Sequence, residues 1–189
     1  MGVCRQVSMQ NGNKHMNKAV FLDRDGVINR AMVRDGKPYP PVNLAALEIL
    51  PGVGAAMQLL HDAGWLLIVV TNQPDVARGT TTRTEVEAIN NYLQQCLPID
   101  EFRTCYHDSS DGCECRKPLP GAILAAAKIY DINLTVSYMV GDRWRDTEAG
   151  ERAGCKTIFI DYGYAEKQPD NVTYRVQSLV EATNIILGK

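Results

Sequence analysis

Ala19-Val20-Phe21-Leu22-Asp23-Arg24-Asp25-Gly26 is the stretch that decides the fold. Four consecutive apolar residues read as a strand buried on both faces, and the charged turn after them ends it abruptly. Gly26 then lets the backbone pass close to whatever the turn holds. Outward from this stretch the same alternation recurs. Trp65–Val70 is a second near-continuous apolar run, and Phe102–Tyr106, Tyr138–Val140 and Thr157–Ile160 are shorter ones. Helical spacing covers Val53–Ala63, with Gly64 as its stop, then Pro120–Tyr130, Glu148–Ala153 and Ser178–Leu187. Thr82 and Glu85 have capping-box spacing and open a further helix to about Cys96. Strands alternating with helices predict a Rossmann-like, three-layer α/β/α arrangement around a parallel central sheet.

The chain has 189 residues, 45% of them hydrophobic and 22% charged, which fits one globular domain and excludes a disordered or fibrous protein. With 20 basic against 22 acidic residues the formal net charge is -2, so nucleic acid is not an expected partner. No apolar run approaches the roughly 18 residues that span a bilayer, so no membrane association is expected. Residues 1–16 read as a flexible N-terminal extension, and 17–189 as a single domain. The extension is polar, lacks the apolar segment of a secretory signal, and carries Gln6 where a myristoylation site needs Ser or Thr. A cytoplasmic monomer is therefore expected, in a compartment where six cysteines are not paired by default.

Ligands of such sheets bind outside the carboxyl ends of the strands. The residues found there are Asp23 and Asp25, then Thr71-Asn72-Gln73, then Cys105 to Lys117, then Gly141-Asp142-Arg143. Together they look able to handle a phosphate. Asp23 is suited to attack phosphorus and form an aspartyl-phosphate, while Asp25 gives a proton to the leaving oxygen and later takes one from water. Mutually repelling carboxylates call for a hard cation, and Asp142 adds a third ligand to Asp23 and Asp25 for Mg²⁺. Asp146 either bolsters that site or caps a helix. Thr71, Asn72 and Gln73 offer hydrogen-bond donors to phosphate oxygens, although Thr71 also suits an ordinary capping turn. Lys117 and Arg116 supply positive charge for the phosphoryl group and substrate oxygens, against the plainer alternative of solvated surface cations. Arg143 is a further substrate-binding candidate.

Cys105, His107, Cys113 and Cys115 fall within eleven residues. Three thiolates and an imidazole complete a tetrahedral site with no open position, so a structural Zn²⁺ is expected. Disulfides or inert buried thiols are the alternatives, and the short Cys113–Cys115 spacing disfavours a bridge between them. Cys4 reads as a tail thiol, His15 as a tail residue, Cys96 and Cys155 as small core residues, and His61 as exposed on its helix.

Phe21 to Asn29, Thr71-Asn72-Gln73, Cys115-Arg116-Lys117-Pro118 and Gly141-Asp142 resemble the four motifs of the haloacid dehalogenase superfamily of phosphatases. Within it the chain is most similar to a group of heptose 1,7-bisphosphate 7-phosphatases, which shares its motifs with histidinol-phosphatases. The resemblance implies Mg²⁺-dependent hydrolysis of a small phosphorylated sugar, with Asp23 as nucleophile and Asp25 as acid and base. It implies the zinc-ligand role for the four Cys/His positions, and places Arg116 against the substrate. Arg78 and Gly79 also match. Pro74-Asp75-Val76, and Arg143 in place of a lysine, depart from the group's pattern. Asp23 and Thr71 are 48 positions apart and Thr71 and Lys117 are 46 apart, leaving no room for a large cap domain. An open site is expected, with specificity set by Arg30–Pro41 and the metal loop.

Overall fold

The computed structural model describes residues 16–189. Cys4, His15 and most of the expected N-terminal extension lie outside the described residues. Eight strands and five α-helices follow in the order β1 (Ala19–Leu22), β2 (Met32–Arg34), β3 (Lys37–Tyr39), α1 (Val53–Asp62), β4 (Leu66–Asn72), α2 (Arg83–Cys96), β5 (Glu101–Cys105), α3 (Gly121–Ile129), β6 (Tyr138–Gly141), α4 (Trp144–Ala153), β7 (Lys156–Ile160), β8 (Tyr174–Val176) and α5 (Leu179–Leu187).

Six strands form one sheet in the order β5-β4-β1-β6-β7-β8, and every neighbouring pair runs parallel. The first strand therefore sits inside the sheet, which is why Ala19–Leu22 is fully buried. Its residues alternate between two cores, as a period of two requires. Val20 and Leu22 join Leu67, Val69 and Val140 under α1, α2 and α5. Ala19 and Phe21 join Ile68, Val70 and Met139 under α3 and α4. These are the three layers expected. The helices on the second face present small residues, Ala122, Ala126, Ala149 and Ala153, so that face packs close to the sheet.

Local signals explain the element ends. The Thr82 side chain accepts from the Glu85 N–H at 3.2 Å, while Glu85 reaches back to the Thr82 N–H at 3.1 Å, so both halves of the capping box form. The Ser178 hydroxyl accepts from the Glu181 N–H at 3.2 Å and opens α5. Gly64 follows α1 at φ 77°, which a glycine adopts freely. Three elements differ from expectation. The segment after β1 forms an antiparallel hairpin, β2 with β3, turning through Asp35 at φ 50° and Gly36 at φ 71°. β8 extends the sheet by one parallel strand. α4 begins at Trp144, one turn earlier than the run from Glu148 suggested. Cys96 is also corrected: it is exposed, because α2 ends there and Leu97 occupies the buried place beneath it. Cys155 is half-buried against the second core, and His61 is exposed on α1. Among the described residues no helix is long and apolar enough to cross a membrane.

Candidate active site

Four neighbouring strands, β5, β4, β1 and β6, end side by side, and their next residues share one cleft. It is lined by Asp23, Asp25, Thr71, Asn72, Arg116, Lys117, Arg143, Arg145 and Asp146, with Pro38, Tyr39 and Pro40 of the hairpin overhanging it. The expected nucleophile, acid and cations therefore meet in one place.

Asp23 is 7% exposed and held by one oxygen: Oδ1 accepts from the Arg24 N–H at 2.7 Å and from Lys117 Nζ at 2.8 Å. Among the described residues nothing donates a hydrogen bond to Oδ2. Lys117 is almost fully buried, and its ammonium uses three donors, to Asp23, to Asp146 Oδ1 at 2.7 Å and to the Val70 carbonyl at 2.6 Å. Burial alone would depress this lysine, but Asp146 and Asp23 hold it above its ordinary value. Burial, then the Asp146 charge, push Asp23 up to about 6 even against Lys117.

Asp142 is 1% exposed, and among the described residues its oxygens meet no donor in good hydrogen-bond geometry, although the Tyr164 hydroxyl is close enough to favour its charge. Burial, with Asp23 and Asp146 adding repulsion, raises it well above the carboxylate range. The ligand oxygens of Asp23, Asp142 and Asp146 lie within 4.8 Å of one another. Three carboxylates against one lysine leave an excess of negative charge, and orphaned buried oxygens are a rarity that demands a ligand. The donor set fits a hard divalent cation. Gly26 is the neighbour that permits it: at φ 89°, a Cβ there would stand 1.8 Å from Asp142 Oδ2.

The grouping differs from expectation at one position. The Asp25 side chain lies outside the group of close carboxylate oxygens, and Asp146 lies within it. Asp25 Oδ1 accepts from Asn29 Nδ2 at 3.0 Å and Arg24 Nε at 3.3 Å, and Oδ2 from Gln73 Nε2 at 2.8 Å and Arg24 Nη2 at 3.1 Å. Both of its oxygens are thus committed. Asp146 does both things the sequence left open, since its Oδ2 accepts from the Arg143 N–H at 2.9 Å while Oδ1 pairs with Lys117.

The side chains of several residues expected to bind phosphate also brace the site. The Asn72 amide clasps the backbone of Lys117, donating to its carbonyl at 2.9 Å and accepting from its N–H at 3.1 Å. Gln73 spends its two amide protons on Asp25 and on Thr71 Oγ1, the latter at 2.9 Å. Arg143 is paired with Glu166 through both nitrogens, Nε at 2.9 Å. Among the described residues Arg116 and Arg145 have no ion-pair partner; burial and the nearby Arg143 hold Arg145 below its ordinary value. Glu166, Arg145 and Tyr164, whose hydroxyl stands beside Asp142, carried no spacing signal in the sequence.

Cys105, His107, Cys113 and Cys115 converge at the end of β5. The Cys113–Cys105 and Cys113–Cys115 sulfurs are 3.7 and 3.6 Å apart, and His107 Nδ1 lies 3.7 and 3.5 Å from Cys105 and Cys115. A tetrahedron with metal–sulfur bonds of about 2.3 Å and a metal–nitrogen bond of about 2.0 Å has edges of about 3.5–3.8 Å, so this cluster has the dimensions of a four-coordinate metal cage. The separations are far too long for disulfides. Arg116 donates to the His107 carbonyl at 3.1 Å, which fastens the cage to the cleft. Arg78 clamps Asp108 of the same loop at 2.7 and 3.0 Å.

Comparison with known proteins agrees with this geometry. A family model described as HAD-hydrolase-like matches residues 114–182. A D-glycero-beta-D-manno-heptose-1,7-bisphosphate 7-phosphatase of Bordetella bronchiseptica is 36% identical over 155 residues, 79% of this chain and 84% of that one. The enzyme of the same name from Haemophilus ducreyi is 34% identical over 185 residues, 88% of this chain and 98% of the other. The crystal structure of D,D-heptose 1,7-bisphosphate phosphatase from B. bronchiseptica, complexed with magnesium and phosphate, superposes with a TM-score of 0.78 at 31% identity, covering 90% of this chain and 98% of that one. With such identity spread over most of both chains, on a fold whose strand ends carry the expected carboxylates, this protein belongs to the HAD-like phosphatase family of these relatives and is a phosphoric monoester hydrolase.

Proposed function

We propose that the protein removes the C7 phosphate of D-glycero-beta-D-manno-heptose 1,7-bisphosphate in the cytoplasm, for nucleotide-heptose synthesis, through an aspartyl-phosphate on Asp23. The carrying observation is that Asp23, with Oδ2 free and Oδ1 fixed by Lys117, faces a cleft rimmed by Arg116 and Arg145, in a chain whose relatives are named for that reaction.

Asp23 and Asp142 would hold Mg²⁺, with Asp146 beside them pinning Lys117 and the Arg143 N–H. When bound, the cation would neutralise charge on the nucleophile and on phosphate oxygens. Asp23 Oδ2 attacks phosphorus as the bond to the sugar oxygen breaks, and Asp25 gives that oxygen a proton. Asp25 then takes a proton from the water that cleaves the aspartyl-phosphate. Lys117 keeps Asp23 turned and balances the transferring group, while Thr71 and Arg116 face the phosphate oxygens. Asn72 and Gln73 keep Lys117 and Thr71 in place, and Arg143 borders the substrate, restrained by Glu166. The Cys/His cage would carry Zn²⁺ and fix Arg116.

Phosphate release from heptose 1,7-bisphosphate, histidinol phosphate and fructose 1,6-bisphosphate tests the substrate, and a preference for histidinol phosphate overturns it. Asp23→Asn should abolish release without unfolding the chain; full activity in that variant rules out the covalent route.

A further inference from the structure

Arg24 is fully buried and lies between the two aspartates, yet the chemistry above gives it no role. Burying a guanidinium is costly unless its donors are met. Here Nε and Nη2 are met by the carboxylate of Asp25, at 3.3 and 3.1 Å, and Nη1 by Asn90 Oδ1 at 2.9 Å. Asn90 is itself 2% exposed, in the middle of α2, on the face where Val86, Ile89 and Leu93 pack. An apolar residue would serve that helix better, both in propensity and in burial. Asn90 is in turn held by its other end, donating to Thr104 Oγ1 of β5 at 3.2 Å. A buried polar line thus runs from β5 through α2 to Asp25, anchored at Thr104, the residue before the first cysteine of the metal cage. The other donors to Asp25, Asn29 and Gln73, come from the loops of the site itself. Gln73 also links this carboxylate to Thr71 of β4, and the Arg24–Asn90 line is the tie that reaches the helical layer.

We propose that Asn90, acting through Arg24, is a positioning residue that aims the Asp25 carboxylate at the leaving oxygen of the substrate. The proposal rests on Asp25 being the acid of the reaction. Loss of the Asn90 acceptor frees one corner of the guanidinium, and the carboxylate it holds then swings with it. The step that suffers is protonation of the departing oxygen. An alkyl ester needs that proton because an alkoxide is a poor leaving group, whereas p-nitrophenolate departs without one.

The experiment compares kcat/KM, which covers the steps through departure of the alcohol, for heptose 1,7-bisphosphate and for p-nitrophenyl phosphate. Asn90→Leu should lower the value for the alkyl ester about 10–100-fold and for the aryl ester less than about 3-fold. Asn90→Asp, which keeps an acceptor facing Arg24, should restore most of the loss. Should Asn90→Leu fail to fold, Arg24→Lys is read the same way, since a compact ammonium lacks the planar fork that spans both Asp25 oxygens and Asn90 at once; it should show the same ester selectivity. Equal losses on both esters, or no loss on either, overturn the proposal. Asp25→Ala separates the two layers of inference. Ester selectivity in Asp25→Ala but not in Asn90→Leu refutes the positioning role alone, and its absence in Asp25→Ala refutes the acid role beneath it.

Discussion

Replacing Lys117 with methionine keeps the aliphatic stem of the side chain and removes its charge. Each of its two ion pairs, at 2.8 Å to Asp23 and 2.7 Å to Asp146, is worth about 6 kcal/mol of gross attraction at an effective dielectric near 20. Most of that offsets the desolvation of three buried charges, so the net cost of breaking the group is about 3–5 kcal/mol at pH 7. For a domain of this size that is a fall in Tm of roughly 6–20 °C. The sign of the pH dependence follows from the raised carboxylates. Asp23, at about 6, and Asp142, also raised, bind protons more readily in the folded than in the unfolded chain. Their burden is absent below an ordinary carboxylate pKa and develops as pH rises towards 6, so stability falls across that window. Without Lys117 the Asp23 carboxylate rises further, and the fall extends to higher pH. Urea unfolding of the metal-free wild type and Lys117→Met should therefore show a difference that is small at pH 5 and full at pH 8. A loss below about 1 kcal/mol at pH 7, or one that does not change between pH 5 and pH 8, would refute the electrostatic account of the cluster.

Two further outcomes are expected. Gly26→Ala places a side chain at φ 89° and its Cβ 1.8 Å from Asp142 Oδ2; the backbone strain and the overlap together should cost about 2–5 kcal/mol and remove most phosphate release, and a variant with wild-type urea midpoint and turnover would contradict this. Cys105→Ser should abolish retention of a metal ion by the 105–115 loop and lower both Tm and turnover, because Arg116 loses its anchor; metal analysis with calorimetry checks it, and unchanged stability after verified metal loss would exclude a structural role for the cage.

The strand ends were legible because burial on both faces writes an unbroken apolar run, and the residues after such a run must lie at one edge of the sheet. Asp23, Thr71, Cys105 and Asp142 were found in this way. The Thr82–Glu85 box and Gly64 were legible because capping chemistry acts within four residues. The hairpin was missed although its signal was present: Asp35-Gly36 between extended residues is a turn pair that favours φ above zero, as both residues adopt. Other features left no local trace. Nothing in the chain order says that the side-chain amides of Asn72 and Gln73 hold Lys117, Asp25 and Thr71. The pairing of Glu166 with Arg143 spans 23 residues through an irregular loop, and that of Asn90 with Arg24 spans 66. Periodicity cannot report contacts set by how layers stack.

The excess of buried negative charge is the part of the design that folding alone does not explain. Asp142 packs at 1% exposure with neither oxygen meeting a donor in good hydrogen-bond geometry among the described residues, where an apolar side chain of similar volume would suit the core beside β6 better. Its neighbours relieve it only in part, since Lys117 is committed to Asp23 and Asp146, and the Tyr164 hydroxyl and the Arg143 charge lower it less than burial and the other carboxylates raise it. Arg143, the next residue in the chain, is turned to Glu166 instead. Positive charge that could quench the cluster is thus present within a few residues and is directed away from it. A fold under selection for stability alone would have turned Arg143 inward or lost Asp142. A small divalent ion shared by Asp23 and Asp142 would supply the balancing charge from outside the chain.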